Sequence, residues 1–418
     1  MELDQVAAPA GRNIERYLLL TLRAPKEIPP QEAAPPGKKR PPLNFAPVLD
    51  VSGSMQGEKV HQAKEAVRQA VRCLCEGDTF SLVTFSNEIH CPFEPKFVES
   101  QTVEAVESKL EGITAGGMTA LCGGLELGIA NAARYKMDNN LVLLLSDGQA
   151  NVGETDLEKV GQRAWQARQE GLVVSTLGVG MDYNEALMAE IATQGGGRFY
   201  HIANINRIPA FVAGELGEVA NLAGREVRIQ LTLPGGATLV PLSAAFPVQQ
   251  AGEQAEIKVG DIPCDTELEI PLRVAILSQP AGKKLSMDGV LEFQSPAGHT
   301  IVQAVNRVTV RFMKAARFQL RDGVVLPVAE QVFSHLKTTS VLSVSRVMAM
   351  QPGKAGEHQE SVLAGLRTYA DLLGEDRAEK ELFAVRDMFA DYQASPAAAK
   401  TRVAEAHRSM RGSKDFSQ

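Results

Sequence analysis

Leu49-Asp50-Val51-Ser52-Gly53-Ser54-Met55 follows an apolar run over residues 43–49 and precedes a helical pattern. One acid and two hydroxyls at alternate positions, where a strand passes into a helix, aim hard oxygen donors at one point. Such donors suit Mg²⁺, which demands near-octahedral oxygen coordination and keeps several of its waters. A short string of this kind is common by chance. Two later stretches give it weight: Gly116-Gly117-Met118-Thr119, and the run 141–145 entering Ser146-Asp147-Gly148.

Working outward, Val60, Ala63, Val67, Ala70, Val71 and Leu74 recur at three- and four-residue steps, which predicts a helix ending near Gly77. Residues 80–85 read as a strand, 103–110 and 120–133 as helices, and 141–145 as a strand covered on both faces. Then follow helix 157–169, strand 172–178, helix 185–192, strand 198–201 and a closing helix over 207–221. Strands alternating with helices imply a parallel sheet with right-handed crossovers, whose ligands bind beyond the carboxyl ends of the strands at a switch point. Asp50 and Asp147 each follow a strand, and Thr119 opens a helix after a glycine-rich loop. The oxygen-bearing residues Asp50, Ser52, Ser54, Thr119 and Asp147 therefore fall at one end of one sheet.

With these pieces in order, the region from about Leu43 to Asn221 resembles the von Willebrand factor type A (VWA) domain family. Asp50, Ser52, Ser54, Thr119 and Asp147 match that family's metal-ion-dependent adhesion site, DxSxS…T…D, with no ligand missing. The stretches 77–85 and 145–151 agree with the family, and Met118 departs from the glycine that many members carry before the threonine. The resemblance implies Mg²⁺, with Mn²⁺ or Ca²⁺ also suited to oxygen ligands. It further implies serine and threonine contacts direct to the metal and aspartates acting through water; members of the family can switch between closed and open arrangements by moving the last helix, here 207–221.

The flanks form a second, discontinuous part. Residues 17–23 read as a strand, and 24–42 hold seven prolines and the triplet Lys38-Lys39-Arg40, the composition of a stiff, solvated connector. After Asn221 the period changes to two, with strands at 226–233, 255–259, 267–277, 284–293 and 300–312 between Pro/Gly turns, as in an antiparallel sandwich. Helical stripes return from Val324 onward. The expected fold is α/β: a doubly wound, mostly parallel sheet inserted in a β-sandwich, with a C-terminal helical segment. Its expected parts are an N-terminal sandwich strand and the start of the linker (1–30), a VWA domain (43–222), a sandwich (224–313) and a helical region (324–412). This layout resembles bacterial cytoplasmic multi-domain VWA proteins. Its sandwich flanks are also similar to the secreted heavy chains of inter-alpha-trypsin inhibitors.

Charge and composition narrow the function. A formal net charge of −7 argues against nucleic-acid and anionic-membrane partners. No apolar run reaches spanning length, and residues 1–16 lack a signal-peptide layout, so a cytoplasmic protein is expected. The five cysteines, an odd number without a second close pair, read as reduced, small, buried apolar groups rather than a zinc site.

Catalysis finds no support. Ser52 stands where an aspartyl-phosphatase needs a carboxylic acid, no histidine base accompanies Ser54, and no P-loop occurs. His61 reads as a solvated helix-face residue, Trp165 as core, Asp78 as turn chemistry, and the glycines at 178, 180 and 195–197 as turn formers. Asp182 is a weaker candidate beside the metal ligands. The expected function is an Mg²⁺-dependent protein-binding scaffold or adaptor, in which a partner Asp or Glu completes the coordination and partner affinity follows Mg²⁺. Family members also serve as adaptors to chaperone-like ATPases in complex remodelling or metal insertion, and a self-assembling structural role with a loop-stabilising metal is the third expectation.

Overall fold

The structure is a computed structural model, and it describes residues 1–28 and 41–412. The basic triplet and most of the proline-rich connector lie outside the described residues. Three strands open the chain: β1 (Glu2–Leu3), β2 (Ala7–Pro9) and β3 (Ile14–Arg23). Next come β4 (Leu43–Asp50), α1 (Glu58–Arg72), β5 (Thr79–Phe85), β6 (Ile89–Phe97), α2 (Thr102–Glu111) and α3 (Leu121–Arg134). The same region closes with β7 (Asn139–Ser146), α4 (Leu157–Gln169), β8 (Val173–Val179), α5 (Glu185–Gln194), β9 (Gly196–Ile202) and α6 (Ile208–Ala220). Its six strands form one sheet in the order β6-β5-β4-β7-β8-β9. All neighbours are parallel except the β5–β6 hairpin.

Both faces of that sheet are covered. On one, α1 buries Ala63, Ala66, Val67, Ala70 and Val71, and α6 buries Phe211, Val212 and Leu216, in a core shared with Phe45, Phe80 and Leu143. On the other, α3 approaches through glycines: a Cβ at Gly124 would meet the Phe85 ring at 2.5 Å, and one at Gly128 would meet Val48 Cγ2 at 2.2 Å. The helix lies that close because no side chain intervenes. Crossovers therefore leave β4 in opposite directions, and the switch point falls between β4 and β7, which pair Leu49 with Leu145.

The second unit contains two sheets. The chain leaves it after β3 and returns at β10 (Leu222–Thr232), followed by β11 (Thr238–Pro241), β12 (Val248–Ala251), β13 (Gln254–Pro263), β14 (Glu267–Ile276), β15 (Lys284–Gln294) and β16 (Thr300–Met313). One sheet runs β1-β3-β14-β11, the other β12-β13-β10-β15-β16-β2. Strand β3 pairs with β14 along its whole length, from Ile14 opposite Ile276 to Arg23 opposite Glu267. Alternate residues such as Leu18, Leu20, Ile229, Leu231, Ile270 and Leu272 fill the space between the sheets.

Helices α7 (Leu326–Met350), α8 (Ala355–Ala370) and α9 (Glu375–Ala394) share a core with Leu19 of β3 through Val332, Phe333, Tyr369 and Val385. The last helix, α10 (Pro396–Arg411), behaves differently: residues 396–408 group with the parallel-sheet unit. There Lys400 is buried and pairs with Glu185 at 2.8 Å, and His407 Nδ1 accepts the Phe199 amide of edge strand β9 at 3.2 Å. The two compact units are thus residues 1–28, 222–395 and 409–412, and residues 41–221 with 396–408.

Several sequence expectations need correction. Trp165 is not core but 42 % exposed, because α4 packs through Leu157, Val160, Gly161, Ala164 and Ala167 and the indole lies about 100° round the helix from Ala164. None of the five cysteines is in a disulfide, but only Cys122 and Cys264 are buried; Cys73 and Cys75 are exposed at the end of α1. Helix α3 opens at Leu121, so Thr119 belongs to the preceding loop rather than to the helix. Among the described residues no helix is long and apolar enough to cross a membrane.

Candidate metal centre

The central strands β4 and β7 end side by side and deliver Asp50 and Ser146 to the same sheet edge. Asp50 is fully buried, and its two oxygens have different partners. Oδ1 accepts the Ser52 amide at 2.8 Å, and Oδ2 accepts the Ser146 hydroxyl. Burial pushes the Asp50 carboxyl above the ordinary carboxylate range; the bonds from Ser146 and Ser52 pull it down, and the neighbouring Asp147 adds to the rise. One turn of 3₁₀ helix, Gly53–Met55, then brings Ser54 back over the strand end. The Ser52 and Ser54 hydroxyl oxygens lie 3.1 Å apart, and Ser54 Oγ donates to Asp147 Oδ1 at 2.7 Å.

The glycine-rich loop is zipped to this turn. Gly53 N donates to Gly117 O at 2.9 Å and Gly116 N to Val51 O at 2.8 Å. Gly117 has φ +87°, and a Cβ there would sit 2.6 Å from Asn87 Oδ1, the acceptor of the Met118 amide. Both the left-handed backbone and the close approach require glycine. Thr119 is clamped by Asn151, whose side chain accepts the Thr119 amide at 2.8 Å and whose own amide donates to Thr119 O at 3.1 Å.

These three loops enclose a small cradle. A Cβ added to Gly148 would lie 3.0 Å from Thr119 Oγ1, 3.3 Å from Ser54 Oγ and 3.7 Å from Asp50 Oδ2. Oxygens from two loops therefore face the glycine of the third, which leaves the point open. Among the described residues no group of three or more His, Cys, Asp or Glu side chains is placed to hold a metal ion, so a cation here would draw on hydroxyls as much as on carboxylates. Such a donor set fits a hard ion like Mg²⁺. The fifth candidate, Asp147, is also fully buried, and its Oδ2 accepts a hydrogen bond from the Lys59 ammonium of α1.

Residues 46–213 match the family model of the von Willebrand factor type A domain. VWA domains mediate protein–protein interaction, often through a metal held at an adhesion site. The Synechocystis protein sll0103 is 28% identical over 270 residues, 62% of this chain and 63% of that protein. Escherichia coli YfbK is 28% identical over 228 residues, 54% of this chain and 38% of its own length. Human inter-alpha-trypsin inhibitor heavy chain H3 is 29% identical over 197 residues, 45% of this chain and 22% of the heavy chain. Each match spans less than two thirds of the relative. Two solved structures share the whole layout: a von Willebrand factor type A protein from Catenulispora acidiphila (TM-score 0.66, 16% identity, 99% of this chain and 96% of that one) and the ArnB paralog VWA2 from Sulfolobus acidocaldarius (TM-score 0.63, 16%, 98% and 97%). At that identity they show the fold, an α/β VWA sheet with flanking strands and C-terminal helices.

Sequence reasoning passed over several residues of the VWA loops. Ser146 and Asn151 flank the aspartate in the very stretch that carries the resemblance, and Asn87 lies just past β5. Their partners are 96, 32 and 31 residues away, so no local pattern marks them. Asp182 enters through its main chain: its carbonyl accepts Gln149 Nε2 at 2.8 Å. Asp78 accepts the amides of Leu43 and Cys75, at 2.9 and 2.7 Å, and ties the start of β4 to the turn before β5.

Proposed function

We propose that this chain is a metal-dependent protein-binding module whose cation, Mg²⁺ in the cell, is held by Asp50, Ser52, Ser54, Thr119 and Asp147. The observation that carries the reading is the cradle at Gly148, where the Ser54 and Thr119 hydroxyls and the Asp50 carboxylate, from two sequence-distant loops, face one open point beside the third loop. When bound, the ion supplies a positive centre that attracts a carboxylate from outside the chain. The protein's own residues do the rest. Ser146 and the Ser52 amide orient Asp50, and Asn151 fixes the threonine loop.

Binding rather than turnover follows from the same groups. Hydroxyls that are themselves ligands leave no free nucleophile, and among the described residues no histidine hydrogen-bonds to Asp50 or Asp147. A partner protein offering Asp or Glu at an exposed tip therefore fits best. A cytoplasmic setting is part of this reading, supported by five cysteines, none of them in a disulfide and two of them exposed.

The test is calorimetric titration of Mg²⁺ and Mn²⁺ into the full chain and its Asp50→Ala and Thr119→Ala variants, followed by partner capture with Mg²⁺ or EDTA. Metal binding by the wild type alone, with capture that EDTA reverses, is expected. Equal metal binding by all three proteins would sink the assignment of the site.

A further inference from the structure

Lys59 is not a ligand type for a divalent cation, yet its ammonium lies against a candidate ligand. It sits in the first turn of α1, immediately after Gly57, whose φ of +78° turns the chain sharply before the helix. Helical Cα–Cβ bonds tilt toward the N-terminus, so a long side chain in the first turn reaches back over the loop that precedes it. Here it reaches Asp147 Oδ2. The carboxylate is fully buried and the lysine side chain is 24 % exposed, so water screens the pair only from the lysine side. Asp147 is thereby shared: Oδ1 takes the Ser54 hydroxyl and Oδ2 takes the ammonium. The ammonium is also roofed. A Cβ at Gly180, in the loop after β8, would lie 3.5 Å from Nζ.

We infer that Lys59 is a tethered counter-cation of the metal site, which sets its affinity and its selectivity for divalent over monovalent ions. This rests on the metal reading above. Two carboxylates and one ammonium leave the site with one net negative charge. Without a bound ion, Lys59 neutralises Asp147, which would otherwise be a buried, half-satisfied anion. An incoming cation competes with the ammonium for Asp147 and is repelled by it. A monovalent ion gains about as much from Asp147 as the lysine already does. A divalent ion gains roughly twice as much and prevails. The same charge lies within the attraction range of a carboxylate approaching the site, so it assists the partner once the ion is in place.

The experiment compares wild type, Lys59→Met, Lys59→Gln and Lys59→Arg as full chains. Mn²⁺ binding is read by electron paramagnetic resonance, Mg²⁺ by competition, and Na⁺ as a second competitor, with melting curves in EDTA. Two unit charges about 4 Å apart interact by about fivefold in affinity even in the dielectric of water, and by more at a part-buried site. Lys59→Met and Lys59→Gln are therefore expected to bind Mn²⁺ at least about fivefold more tightly, to become sensitive to Na⁺, and to melt lower in EDTA. Lys59→Arg is expected to stay near wild type. Unchanged or weaker Mn²⁺ binding by both neutral variants, with wild-type binding still abolished by Asp50→Ala, would overturn the inference and leave the metal site standing. No binding by any of the proteins would overturn the metal reading and the inference together. Folding is controlled by the pair of neutral variants, since glutamine keeps a hydrogen-bond donor for Asp147.

Discussion

Gly148→Ala is the most discriminating perturbation of the proposed metal site, because it adds one methyl group and removes none of the proposed ligands. Gly148 lies outside the left-handed region, so alanine is compatible with its backbone. The new Cβ would press on Thr119 Oγ1 at 3.0 Å, which is closer than carbon and oxygen normally pack, and would touch Ser54 Oγ at 3.3 Å. Thr119 has little room to yield, since Asn151 holds its amide and its carbonyl. Relief requires a shift of a few tenths of an ångström in a hydroxyl that the ion needs at about 2.1 Å. Disturbing the support of a ligand costs about 10–100-fold in metal affinity. At a Mg²⁺ concentration of about 100 Kd, the wild type gains about 2.7 kcal/mol from binding, and a hundredfold weaker variant gains only about 0.4 kcal/mol. Calorimetric Mg²⁺ titration, with melting curves in Mg²⁺ and in EDTA, measures both quantities. The melting temperature in EDTA is expected to hold, because alanine lowers the entropy of the unfolded chain. Wild-type Mg²⁺ affinity in Gly148→Ala would refute the cradle as the place where the ligands converge.

Two further predictions concern the framework. Burial lifts the Asp4 carboxyl from 3.8 to about 6, against hydrogen bonds from the Tyr17 amide and Tyr369 and the nearby Arg16. A raised acid favours the protonated form in the fold, so its cost is absent below pH 3.8, grows through about pH 6 and is complete above it. The full cost is about 3 kcal/mol. Urea titrations of Asp4→Asn between pH 4 and 7.5 are expected to lack that component, and an unchanged pH slope would count against it. In the VWA core, buried Arg198 pairs with Glu218 at 2.8 Å and Glu215 at 3.5 Å, and Glu215 also takes the Tyr200 hydroxyl at 2.8 Å. Arg198→Met removes the buried cation that Glu215 and Glu218 of α6 share and is expected to destabilise the domain by about 3 kcal/mol. A loss below about 1 kcal/mol in chemical denaturation would contradict this.

Much of the VWA fold was legible because its elements are locally consistent. The helix of α1 follows from apolar spacing at 60–74, and β7 from a run that has no polar face to turn outward. Strand β6 was not legible: Pro92 and Pro95 break the strand signal, and they are tolerated because β6 is an edge strand with one side free of ladder bonds. The two- to four-residue strands β1, β2, β11 and β12 are too short to show a period and exist only as pairings with longer neighbours. Trp165 misled because a large apolar residue outweighs small ones in any hydropathy reading, whereas α4 packs through its glycine and alanines.

By itself, the amino-acid order determined which oxygen donors the three loops carry, that Asp50 and Asp147 follow strands, and that strands and helices alternate into a parallel sheet. Those are short-range properties: periodicity, turn chemistry and donor type are written within a few residues. Only the tertiary structure decided the contacts made across long separations. The Lys59–Asp147 pair joins residues 88 apart, and the cradle at Gly148 needs three loops to meet. Grouping residues 396–408 with the VWA unit rather than with the preceding helices likewise depends on Lys400 and His407 finding partners more than 200 residues away. Such pairings rest on chain closure and complementary surfaces, and no local period records them.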